Sequence, residues 1–93
     1  MNEEKLVKAL IADHLRHMKL MIGLERLGFD TLNLYLGLPE IIFGVMGIEK
    51  SETIFMYFIT AAELACTKND KEKDVADTLY DDLVLMRVEW NDR

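Results

Sequence analysis

The chain has 93 residues, 10.8 kDa, 51% hydrophobic residues and a formal net charge of −6. That length leaves room for one domain and no second, and the acidic balance argues against a phosphate backbone or an anionic membrane as the main partner, since both draw basic patches. The single cysteine, Cys66, excludes an internal disulfide and suits a reducing compartment.

Charge is unevenly spread along the chain. Residues 1–28 carry five bases and four acids, whereas residues 70–93 carry four bases and eight acids. The opening "MNEEK" is charged where a leader would need a basic then apolar run, so no secretory signal is expected and the expected location is cytoplasmic. Thr53 to Ala62, ten residues, is the longest uncharged stretch, short of the ~18 that a membrane span requires.

From residue 3 to 27, Leu6, Val7, Leu10, Ile11, Leu15, Met18, Met21 and Ile22 recur at three- and four-residue spacings, which predicts a long amphipathic helix ending at Gly28. Lys5, Lys8, Arg16, Lys19 and Arg26 gather on its other side. Asp30-Thr31 can open a short helix over 31–36. Pro39 suits the first residue of another, over 39–46, because its missing N–H has no partner to lose there. Gly47 then stops the chain, and Ser51 with Glu52 reads as the start of a helix over 52–68. That helix is apolar over most of its circumference, so it must be covered on several sides and is expected at the centre of the bundle or shared with another subunit. "TKNDKEKD" reads as a turn in which Asp70 is the expected N-cap of a last helix, 71–90, with Val75, Ala76, Leu79, Tyr80, Leu83, Met86 and Trp90 as its core stripe. Asp74, Asp77 and Asp81 make its outer face acidic, and that face could meet the basic face of the first helix between chains. The expected fold is therefore all-α, a compact bundle of four to five helices in a single domain over residues 1–93.

Functional constellations are few. "LPEIIFGVMGIEKSETIFMYF" (38–58) scans as helix, turn and helix, and a helix-turn-helix regulator would bind DNA through residues 39–59. Its second helix would offer Lys50, Ser51, Glu52, Phe55, Met56 and Ile59 to the groove, a poor set beside the basic and amide side chains that read bases. "LGFDTLNLYL" resembles the Asp-Ser-Leu neighbourhood of acyl carrier proteins, but Thr31 stands where that family's phosphopantetheine-bearing serine would be, and the only serine is Ser51. His14 and His17 are the weak metal candidates, with Glu25 returning to nearly the face of His14. A di-iron centre of the Glu-x-x-His type needs that motif on two helices, and it is absent here. No pairing of Ser51, Cys66 or the adjacent Asp81 and Asp82 makes a catalytic set, so no enzyme activity and no cofactor are expected.

The remaining signal is surplus apolar surface. Phe55, Met56, Ile59, Val84, Leu85 and Val88 are the expected interface residues, within the segments 34–59 and 84–90. Five internal methionines suit adaptable packing. The favoured reading is a protein-interaction module whose partner is itself or another protein, most simply a homodimer. The alternatives are the DNA-binding helix-turn-helix, and a small-molecule or metal site around His14 and Glu25. Neither nucleic acid nor membrane is an expected partner.

Overall fold

A computed structural model describes residues 2–29, 37–49 and 52–91, with the side chains of Trp90 and Asn91 outside that description. Among these residues four helices pack into a compact all-α bundle: α1 (Glu3–Arg26), α2 (Gly37–Met46), α3 (Glu52–Lys68) and α4 (Glu72–Asn91). The expected short helix over 31–36 lies outside the described residues, as do Lys50 and the expected cap Ser51.

Each helix end follows from local chemistry. Asn2 caps α1 by accepting the Lys5 backbone N–H at 3.3 Å, and Glu3 and Glu4 place negative charge at the positive end of the helix dipole. Pro39 is the third residue of α2 rather than its first. It still lies in the turn whose N–H groups have no intrahelical acceptor, so the helix extends past it toward the N-terminus at no cost in hydrogen bonds.

α1, α2 and α3 all end in the same paired hydrogen-bond motif. Gly28 N–H donates to Glu25 O and Phe29 N–H to Leu24 O; Gly47 N–H donates to Gly44 O and Ile48 N–H to Phe43 O; Asn69 N–H donates to Cys66 O and Asp70 N–H to Ala65 O. The pivot residue sits in the left-handed region each time, with φ of 93° at Gly28, 67° at Gly47 and 58° at Asn69. Glycine adopts that region freely, and asparagine is the side-chain-bearing residue that tolerates it best. Asp70 is thus part of the stop of α3 and not the cap of α4. The first turn of α4 closes from Val75 N–H to Lys71 O, with Glu72 and Asp74 supplying its negative charge.

The centre of the bundle is α1 rather than α3, which the apolar pattern suggested. Both touch all three other helices, but α1 makes most of the contact among the described residues and buries Val7, Ile11, His14, Leu15, Met18 and Met21. α3 buries Ile54, Phe58, Ala62 and Ala65 but leaves Met56, Tyr57 and Leu64 exposed. An apolar circumference measures how much cover a helix could use; it does not supply the cover. A run of rings joins three helices through the core, from His14 on α1 to Phe58 on α3 at 5.4 Å, and on to Phe43 of α2 at 5.9 Å, which also meets Phe55 edge-on at 5.9 Å. Such tilted and edge-on pairs match the ring quadrupoles.

α1 and α4 run antiparallel, joined by Glu3 with Arg87 at 2.9 Å, Lys8 with Asp77 at 3.1 Å and Arg16 with Glu72 at 3.0 Å. Arg87 also donates to Met46 O at 3.0 Å, tying α4 to the end of α2. Two bases of α1, Lys8 and Arg16, are thus paired with acids of α4 inside the chain, and of the outer acids Asp74, Asp77 and Asp81 it is Asp77 that is so engaged among the described residues. Exposed pairs of this kind add little stability, but in this arrangement they specify the antiparallel register.

Candidate interaction surface

The six expected interface residues divide into two groups. Met56, Leu85 and Val88 are exposed by 53, 63 and 52%, whereas Phe55, Ile59 and Val84 are half-buried and packed against the core. Phe55 borders a hollow of about 330 Å³ between α2 and α3, with Phe43, Gly44, Ile48 and Glu40 as its other walls. Further apolar side chains share the exposure of the first group: Tyr57 and Leu64 on α3, and Ile41 and Val45 on α2. Periodicity marks such residues as apolar and does not encode which of them the neighbouring helices leave uncovered.

α3 and α4 diverge over a groove of about 530 Å³. Its floor is aliphatic, from Ala61 and Ala65 on α3 and Val75 and Leu79 on α4. Asp70, Asp74 and Asp82 stand on its edge beside a single base, Lys71. At one end the Tyr57 hydroxyl donates to Asp82 Oδ2 at 2.8 Å. This bond, together with burial, raises the Tyr57 pKa above its ordinary value and keeps the hydroxyl a donor. The sequence reading did not foresee this groove. Its trace there is the spacing of Asp74, Thr78 and Asp82, which puts all three along one edge of a helix, facing a helix whose matching residues are alanines.

The histidines do not converge on a ligand site. His14 is 2% exposed, and its Nε2 has no hydrogen-bond partner among the described residues. Burial, aided by the charge of His17, pushes its pKa down to about 4, so the ring is neutral at physiological pH. His17 is exposed, with Nδ1 2.9 Å from Asp13 O. Glu25 is exposed and lies roughly 16 Å farther along the axis of α1 by helical rise, so it shares no pocket with His14. The Cys66 Sγ donates to Leu15 O at 3.6 Å, and burial pushes its thiol pKa up, the opposite of an activated nucleophile. Among the described residues, no group of three His, Cys, Asp or Glu side chains is arranged to hold a metal ion.

The helix-turn-helix segment has a tight turn through Gly47 and Ile48 between α2 and α3. The first turns of α3 offer solvent Glu52, Thr53 and Met56, while Phe55 turns inward onto Phe43. Among the described residues these first turns offer one acid, one hydroxyl and one thioether, none of them a cation for phosphate; Lys50 lies outside the described residues. Among the described residues, no helix is long and apolar enough to cross a membrane. Comparison with family models, with curated proteins and with solved structures finds no match to this chain.

Proposed function

We propose that this chain is a non-enzymatic protein-interaction module that works as a homodimer, joined through the outer face of α3 and the last turns of α4. The observation that carries this reading is the uncovered side of α3, where Met56, Tyr57 and Leu64 stay exposed on a helix with few polar residues. Leu85 and Val88 are exposed on the last turns of α4, and the Tyr57–Asp82 bond joins α4 to α3.

The exposed apolar side chains of α3 and α4 leave area for a partner to bury. A standard interface removes ~800 Å² per partner, and each large apolar side chain buried there contributes about 1.5 to 3 kcal/mol before the costs of association. A second copy presents the same patch, which a two-fold axis can bring face to face. The neutral buried His14 and the Cys66 thiol, whose pKa burial pushes up, are poorly placed for chemistry, which supports a binding role.

Sedimentation velocity tests the reading. A dimer is expected at tens of micromolar, and Met56→Glu is expected to convert it to a monomer with an unchanged helical spectrum. A monomeric wild-type chain at that concentration would overturn self-association.

A further inference from the structure

The groove between α3 and α4 is a second surface with a chemistry of its own. Its floor is small and aliphatic, from Ala61, Ala65, Val75 and Leu79, and Asp74 and Asp82 stand on its α4 edge. Those two carboxylates are eight residues apart on one helix, hence ~12 Å along its axis. Alanines at Ala61 and Ala65 keep the α3 wall low, so another backbone can come close. Lys71 is the only base among the lining residues, against Asp70, Asp74 and Asp82. On the other flank of α4, Glu72 and Asp77 are already paired with Arg16 and Lys8. Asp74 has no ion-pair partner among the described residues.

We infer that this groove docks a cationic amphipathic helix of a partner protein. The apolar stripe of that helix lies on the alanine and aliphatic floor, and lysines or arginines two turns apart meet Asp74 and Asp82. An amphipathic helix laid into a groove is anchored at residues one and two turns apart, the same repeat as the two carboxylates. The charge of the whole chain, −6, draws a basic partner toward it and repels an acidic one. A second copy is a poor occupant, because two bases of its longest helix, Lys8 and Arg16, are held in its own ion pairs. The groove borders the self-association surface at Tyr57 and Asp82, and the Met56→Glu monomer in the test below tells the two apart.

The test uses a dye-labelled amphipathic peptide of Leu, Ala and Lys, and a counterpart with Glu in place of Lys, followed by fluorescence anisotropy. Wild type is expected to bind the Lys peptide at micromolar concentrations and low salt, with affinity falling as salt rises, and to ignore the Glu peptide. Asp74→Lys is expected to weaken binding by about tenfold or more, and Ala61→Trp, which fills the floor, is expected to abolish it. Asp74 is exposed, so its variant keeps the fold even if the tryptophan disturbs it. Repeating the titration on Met56→Glu separates the two surfaces, since a monomer that still binds leaves the groove intact. Equal binding of both peptides, no binding at low salt, or no effect of Asp74→Lys would overturn the inference. So would binding by the Met56→Glu monomer alone, because the groove would then belong to the second copy.

Discussion

Along its α1 flank, α4 is answered charge for charge: Glu72 meets Arg16, Asp77 meets Lys8, and Arg87 meets Glu3. Along its α3 flank the same helix has Asp74 at an open edge and Val75 and Leu79 above a floor of alanines, with the Tyr57–Asp82 bond holding one end. The two flanks differ in the size and charge of what faces them. Long side chains that pair off close the first, and short ones leave the second ajar. The seam left open is where another molecule can contribute.

Breaking the closed side has the largest expected effect. Leu83, 1% exposed on the buried stripe of α4, is expected to cost about 2 to 5 kcal/mol as Leu83→Ala, by lost transfer energy and an unfilled cavity. Urea denaturation followed by circular dichroism measures it. Next comes the buried ring beneath α3. His14 has a folded pKa near 4 against 6.5 when free, so the unfolded chain takes up a proton that the folded chain refuses. Stability is therefore full above pH 6.5 and falls as pH drops toward 4, by on the order of 3 kcal/mol in all. Urea midpoints at pH 7.5 and 4.5 measure that fall, and His14→Leu is expected to flatten it in this window.

Smaller effects come from the turns and from the open side. Gly47 has φ 67° and open space where a side chain would go, so Gly47→Ala should cost ~1 to 2 kcal/mol through backbone strain alone, read as a lowered melting temperature. The smallest change sharpens the contrast with Leu83. Ala61→Leu extends into the groove rather than into a packed core, and its expected effect on stability is within about 0.5 kcal/mol. A loss as large as that of Leu83→Ala would mean that the α3 flank is as tightly packed as the α1 flank.

What could be read from the residues alone was mostly local. The helical period set α1, α3 and α4 to within a residue or two, and Gly28 and Gly47 marked two of the three left-handed stops. Asn69 escaped notice because it sits among polar residues that each suit a turn, and its neighbour Asp70 looked like a start when it completes a stop. The misplacement of α3 at the centre has a different cause. Periodicity reports that Met56 and Leu64 are apolar and cannot report that α1, carrying a histidine in its stripe, takes the middle. The groove lay furthest from view, because it depends on alanines and aspartates from two helices that only tertiary packing brings side by side.

Cys66 offers a clock for the inner seam. Its sulfur is hydrogen-bonded to Leu15 O across the α1–α3 contact, and it is the chain's single thiol. The thiol is half-covered and its thiolate disfavoured, so alkylation of the native protein is slow and is expected to quicken when α3 lifts from α1. The rise in labelling rate across denaturant therefore follows that one separation. A rate that runs ahead of global unfolding would identify α3 as the helix that peels away first, carrying its uncovered face with it.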